Sequence, residues 1–300
     1  MSVTHVRDSI RWVGLILVLA LGLTACSQVL TPPPAGGRVL VVASILPLAD
    51  FARQVGGERV QVETLVPPGA SPHTYEPTPA QLRSVSQARV LVLNGVGLEF
   101  WADKVISAAN NPNLVVVKTA DGLDIIAGDE HEPGGNPHIW LSPLNAIHQV
   151  ERIRDTLSQA DPVGADTYRA NADRYTGELS ALDREIRDTV AMFRNRKFIA
   201  FHAAWVYLAR DYGLEQAAVI ETTPGKEPSP AEVAEIVRTA KAIGAKAIFA
   251  EPQFSSKAAA VIAEESSAQV LFLNPLGRPP DYRYLDLMRY NLNEMSKALK

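Results

Sequence analysis

Between Asp161 and Arg194, apolar side chains recur at Tyr168, Ala172, Tyr175, Leu179, Leu182, Ile186, Val190 and Phe193. The steps are all of three or four residues, which lays these side chains along one stripe of an α-helix. Asp161 followed by Pro162 supplies an N-cap and a first-turn proline, and no further proline occurs before Pro224. An unbroken helix is expected, roughly 50 Å long at 1.5 Å per residue. That is longer than an ordinary crossover helix in a compact lobe, and Gly177 inside it weakens it by only about 1 kcal/mol against Ala. One unusually long helix in a single domain, or a short coiled coil, would show the same stripe. The sharper reading is a backbone helix, residues 161–195, that joins two lobes.

The flanks support two lobes. Val39–Ile45, Val60–Val66, Arg89–Leu93 and Leu114–Lys118 are nearly continuous apolar runs of strand length, as in a parallel sheet covered on both faces. Helical segments fall between them near Ala49–Gly56, Thr78–Ala88 and Glu99–Asn110. The alternation returns after the long helix, with strands at Phe198–Phe201, Ala217–Ile220, Ala247–Ala250 and Val270–Leu273 and helices near Ala204–Tyr212, Pro230–Ile243 and Ser255–Ser266. The expected fold class is therefore α/β: two four-stranded parallel-sheet lobes, residues 38–160 and 196–300, joined by one long rigid helix. Three hundred residues, 47% hydrophobic, provide material for two cores.

The first residues read as an export signal. Arg7 and Arg11 precede the apolar run Trp12–Leu23, too short for a bilayer core of about 30 Å. The run ends in Leu23-Thr24-Ala25-Cys26, which resembles the lipobox of bacterial lipoproteins. Residues 1–25 are then a signal peptide, and Cys26 carries a lipid that anchors the chain to a membrane. Cys26 is the only cysteine, so an internal disulfide and a thiolate metal cluster are both excluded. Residues 26–37, with three successive prolines and a Gly-Gly pair, form a stiff tether. Without the signal peptide the chain has 27 basic and 32 acidic side chains, a net charge of −5, which gives no electrostatic footprint for nucleic acid.

Open parallel sheets bind ligands beyond the carboxyl ends of their strands, and three histidines fall there. His73 ends Val66-Pro67-Pro68-Gly69-Ala70-Ser71-Pro72-His73, after the second strand. His138 lies in Asn136-Pro137-His138-Ile139-Trp140-Leu141, beyond the fourth, and His202 closes the first strand of the second lobe. Singly, each has an ordinary reading as a turn, capping or core residue. Together, three imidazoles converging from two lobes make a natural set of ligands for a borderline-soft divalent metal. His148, in a charged helix over Asn145–Leu157, reads as solvated, and His131, in Asp129-Glu130-His131-Glu132, as a surface loop residue.

The chain resembles the solute-binding lipoproteins of ABC importers for zinc and manganese, over essentially all of residues 39–299. The resemblance rests on Pro68-Gly69-Ala70-Ser71-Pro72-His73-Thr74-Tyr75-Glu76-Pro77, Asn94-Gly95-Val96-Gly97-Leu98-Glu99-Phe100-Trp101, the Asn136–Leu141 string, Phe201-His202-Ala203-Ala204-Trp205-Val206-Tyr207 and Ala250-Glu251-Pro252-Gln253-Phe254. It implies metal held between the lobes by His73, His138 and His202. Where the family commonly has an aspartate after the last strand, this chain has Asn274-Pro275-Leu276-Gly277. The fourth ligand is left open between the Asn274 carbonyl oxygen, a water and Glu251, and Asn274 reads equally as a turn residue before proline. Histidine at position 202 leans toward zinc, with manganese as the alternative.

The function implied is capture of a divalent metal ion, most of all zinc, outside the cytoplasm by a monomer, and its delivery to an ABC-type permease. The location implied is the outer face of the cytoplasmic membrane or a periplasm. A zinc hydrolase with Glu251 as base, a binder of a larger ligand such as haem, cobalamin or an iron chelate, and an adhesin with a structural metal are the competing readings. The helical motif His-Glu-X-X-His of zinc proteases is absent from the chain, and the protein is expected not to be an enzyme.

Overall fold

The computed structural model describes residues 37–128, 132–222, 225–277 and 282–300. The signal peptide, Cys26, nearly all of the tether and His131 lie outside the described residues.

The first sheet contains β1 (Val39–Ala43), β2 (Val60–Thr64), β3 (Val90–Leu93) and β4 (Val115–Lys118), all parallel, in the order β2-β1-β3-β4. Register is fixed by pairs such as Val41 opposite Val62 on one side and Val90 on the other. The connections run through α1 (Leu46–Gly56), α2 (Pro79–Gln87) and α3 (Ala102–Ala109). Strand side chains alternate between faces. Val39, Val41, Val90 and Val92 join Leu48, Phe51 and Val55 of α1 in the central core. Val42, Leu91 and Leu93 face the other way, onto Val85 of α2 and Ala102 and Ala109 of α3. Because both faces are covered, the strands read as unbroken apolar runs rather than alternating ones.

Two long helices follow, α4 (Pro143–Ala160) and α5 (Ala165–Ala191). The eight stripe residues of the expected bridging helix are all at most 5% exposed. Burying a leucine or isoleucine fully contributes about 1.5–3 kcal/mol, so the stripe outweighs the cost of about 1 kcal/mol for Gly177 in the helix. The α-helix itself has 27 residues, about 40 Å of axis, and a single 3₁₀ turn at Pro162–Gly164 precedes it. Asp161 does not cap it as expected. Its carboxylate accepts instead from Arg59 Nε (2.9 Å) and Nη2 (2.7 Å) and from the Tyr168 hydroxyl (2.6 Å). Gly164 permits this cluster, since a Cβ there would lie 2.5–2.7 Å from Arg59, Asp161 and Tyr168. Along α4, Ala146, Val150, Ile153 and Leu157 are buried where it packs on α5 and α1.

The second sheet repeats the first, with β5 (Lys197–Ala200), β6 (Glu215–Val219), β7 (Ala247–Ala250) and β8 (Gln269–Phe272) in the order β6-β5-β7-β8. Phe198, Ala200, Ala247 and Phe249 face the central core. Ile199, Ile248 and Ala250 face α7 (Pro230–Ala242) and α8 (Lys257–Ser266), while α6 (Val206–Tyr212) follows β5. In each sheet the chain goes first to one side of the leading strand and then to the other, which opens a crevice at the carboxyl ends of β1 and β3, and of β5 and β7.

A final helix, α9 (Tyr284–Leu299), has no counterpart among the helices read from the sequence. Tyr284, Leu285, Met288, Leu292, Met295 and Leu299 are buried where it returns to pack on α5 and on α1 of the first lobe. Tyr284 meets Phe51 edge to face at 4.9 Å, and its backbone N–H donates to Asp50 Oδ2 at 2.9 Å. The two sheets therefore share one continuous core, and the lobes are joined by more than the bridging helix. Among the described residues no helix is long and apolar enough to cross a membrane.

Candidate metal centre

His73, His138 and His202 come together where the carboxyl ends of the two sheets face each other. Each offers one ring nitrogen to a common point, and the three lie within 4.8 Å of one another. His138 Nε2 is 3.0 Å from His73 Nε2 and 3.0 Å from His202 Nε2. The rings are splayed, at 44°, 66° and 82° to one another, so the nitrogens converge without ring stacking. With nitrogens able to sit about 2.0–2.1 Å from a zinc ion, such a group suits a tetrahedral centre with one further position.

Each histidine arrives on a constrained turn. His73 lies between β2 and α2, and its segment is pinned where Thr78 and Gln81 form a capping box and the Tyr75 hydroxyl donates to Gln81 at 2.7 Å. His138 follows Gly135, whose φ of 102° suits glycine and where a Cβ would collide with Ile125. Asn94 Nδ2 donates to the Pro137 carbonyl at 2.8 Å. The turn carrying Asn94 is itself held by the buried Glu99, which accepts from Ser44 Oγ (2.6 Å), Asn94 N (2.8 Å) and Gly95 N (3.0 Å). His202 leaves β5 directly into a 3₁₀ turn, and Gln216 Nε2 holds its carbonyl at 2.8 Å.

The rings differ in what stands behind them. His202 Nδ1 meets Glu251 Oε1 at 2.6 Å, and Gln253 donates to the other carboxylate oxygen at 3.0 Å. His138 Nδ1 meets Asn136 Oδ1 at 3.1 Å. Among the described residues no such acceptor stands behind His73. Burial, and then the nearby His202, pushes the His73 imidazole down to about 3. His138, also buried and flanked by the other two rings, is pushed well below its ordinary value. Burial opposes a charge on His202 as well, but the Glu251 carboxylate overrides it and carries His202 above its ordinary value.

The two candidates for a fourth ligand both have other partners. Asn274 Oδ1 accepts from the N–H groups of Leu276 (3.1 Å) and Gly277 (2.8 Å), the arrangement of a turn residue before proline. Its own backbone is clamped by Asn291 of α9, through two bonds of 2.8 Å. Glu251 is engaged at the His202 nitrogen that faces away from the other histidines. His148 lies apart, its Nε2 against the Asp121 carbonyl at 2.9 Å. Asn136, Gln253 and the Ser44–Glu99 pair were given no role from sequence. The available signal was the spacing of Asn136, two residues before a histidine, where a short polar side chain bonds its own backbone.

Two doubly wound lobes over a shared helical core, with three histidines converging between their strand ends, define a two-lobed metal-centre architecture. The model of the family described as the periplasmic zinc-uptake complex component A, ZnuA, matches residues 41–298, and the chain belongs to that family. It is 30% identical to the high-affinity zinc uptake system protein ZnuA of Bacillus subtilis, over 96% of this chain and 98% of that protein. It is 32% identical to the zinc-binding lipoprotein AdcA of Streptococcus pneumoniae, over 94% of this chain but only 58% of AdcA. A crystal structure of ZnuA superposes with a TM-score of 0.80 at 35% identity, covering 87% of this chain and 99% of that one.

Proposed function

We propose that this protein captures zinc outside the cytoplasm and hands it to an ABC-type permease, with His73, His138 and His202 as the ligands. The observation that carries this reading is the convergence of three ring nitrogens within 4.8 Å, from turns of both lobes. Imidazole suits zinc, whereas manganese favours oxygen donors, and neither Asn274 nor Glu251 has an uncommitted side-chain oxygen directed at the cluster. Glu251 orients His202 and strengthens it as a ligand, Asn274 shapes its turn, and a water completes the coordination. Glu251 is also the carboxylate that a hydrolase would need as base, and its bond to His202 Nδ1 at 2.6 Å favours capture over catalysis. Export by the leader, a lipid anchor on Cys26 and a monomeric state complete the proposal.

Nanomolar capture requires about 12 kcal/mol, within reach of three neutral imidazoles on a preformed site. The test is a competition titration of metal-stripped protein with zinc and with manganese against a chelator of known affinity, beside His202→Ala. Tight, single-site zinc binding that is lost in the variant is expected. Preference for manganese would move the specificity, and tight binding of neither metal would end the capture reading.

A further inference from the structure

Asn136 is 3% exposed and sits between the two lobes with each of its polar groups engaged. Its side-chain oxygen accepts from the His138 backbone N–H at 3.1 Å and faces His138 Nδ1 at 3.1 Å. Its side-chain nitrogen donates to the Ala203 carbonyl at 2.7 Å, in the opposite lobe. Its backbone carbonyl accepts from the Tyr207 hydroxyl at 2.7 Å, and its N–H donates to Ile126 at 2.8 Å.

The orientation of this amide follows from its neighbours. A backbone N–H can only donate and a backbone carbonyl can only accept. The oxygen must therefore face His138 and the nitrogen Ala203; the reverse arrangement would oppose two donors at one end and two acceptors at the other. An amide oxygen has no hydrogen to give, so the proton between it and the His138 ring must reside on Nδ1. The lone pair is then on Nε2, the nitrogen 3.0 Å from those of His73 and His202. Ala203 is the residue after His202. The same side chain thus selects the tautomer of one ligand and ties it to the turn carrying another.

We infer that Asn136 is a positioning residue of the metal centre, which holds His138 with Nε2 unprotonated and locks the His138 turn of one lobe to the His202 turn of the other. The inference rests on the capture reading, since a ring needs its lone pair presented only if it ligates. Glu251 plays the corresponding part for His202 with a charged acceptor, whereas Asn136 uses a neutral amide that can also donate across the cleft.

The experiment compares the full chain with Asn136→Ala and Asn136→Asp, each without metal and in a zinc competition titration. Ring tautomers are read from long-range ¹H–¹⁵N spectra of the metal-free proteins, with the His138 signals assigned by their loss in His138→Ala. The wild-type His138 ring is expected as the Nδ1–H tautomer alone. Asn136→Ala should release the ring into a mixture and weaken zinc binding by about 10- to 100-fold. Asn136→Asp keeps the acceptor but not the donor to Ala203, so the ring should remain Nδ1–H while zinc dissociates faster than from the wild type. An Nε2–H ring in the wild type overturns the inference without any variant. An unchanged ring and undiminished zinc affinity in Asn136→Ala overturn it too, and zinc release at the wild-type rate in Asn136→Asp removes the tie to Ala203. Failure of the wild type to bind zinc would instead sink the capture reading, while the metal-free tautomers still decide what Asn136 does.

Discussion

His202 carries a carboxylate at its back, and this sets how the centre should respond to pH. A ring must be unprotonated to ligate. His73 and His138 are held neutral by burial well below pH 6.5, His73 down to about 3, whereas Glu251 keeps His202 protonated to above 6.5. One proton, that of His202, therefore competes with zinc before either of the other rings takes one up as the pH falls. Three ordinary imidazoles would bring up to three protons into competition near 6.5. Apparent zinc affinity is expected to fall by about tenfold per pH unit, beginning above pH 6.5, with the onset moved to lower pH in Glu251→Gln. Chelator-competition titrations between pH 8 and 5 check this, and a fall of a hundredfold or more per unit would show that more than one ring titrates. The three histidines could be read from the sequence because strand ends are where open sheets bind ligands. The unequal environments could not, because they depend on which ring nitrogen meets Glu251, Asn136 or neither. The same holds for Asn274, whose residue type allows either ligation or a turn and whose side-chain oxygen is directed to its own backbone.

At the level of elements, the stripe of the long helix was readable because α5 buries one face against neighbours on several sides. Its start was not, because Asp161-Pro162 is a helix-initiating pair in sequence and a tertiary anchor in the fold. Asp161 joins the α4–α5 turn to Arg59, just before β2, with its own side chain 2% exposed and that of Arg59 37% exposed. Burial opposes the Asp161 charge, but Tyr168 and Arg59 hold its carboxyl below the usual range. Asp161→Ala should cost about 2 kcal/mol, the scale of a charged hydrogen bond with a half-exposed partner. In a chain of this size that lowers Tm by about 3–4 °C. Because the folded-state value is depressed, the stabilisation is present in full above the unfolded value near 4 and disappears as pH falls through the lower folded value. The gap between wild type and variant should accordingly narrow in thermal melts below pH 4, and a gap constant down to pH 2 would mean that Asp161 contributes through packing alone. Helix α9 is hidden in the sequence for a different reason. Its apolar residues recur with helical spacing, but nothing local shows that the segment leaves the second sheet and returns to α1.

That return changes how the whole molecule should move. A single bridging helix already disfavours wide opening, since bending it would break its hydrogen-bonded backbone. The structure adds a second set of ties on the opposite end of the chain. Tyr284 of α9 donates through its backbone to Asp50 and through its hydroxyl, at 2.6 Å, to the Trp140 carbonyl, while Trp140 Nε1 donates to the Pro275 carbonyl at 2.8 Å. Trp140 lies two residues beyond His138, so the backbone that carries this ring is fixed to the second lobe through Tyr284 and Pro275, as it is through Asn136 and Ala203. Opening the lobes as rigid bodies would break these bonds together and expose part of a continuous apolar core. Among the described residues, His73 is the one of the three histidines with no acceptor behind its ring. Metal entry is therefore expected to move the His73 segment while the lobes stay in place. The radius of gyration from X-ray scattering should change by less than about 1 Å between metal-free and zinc-loaded protein, with hydrogen-exchange protection gained mainly over residues 66–77. A contraction of several ångströms, with protection spread along α5 and α9, would mean that the ties through Tyr284 and Trp140 open in solution and that the lobes close on the metal as hinged bodies.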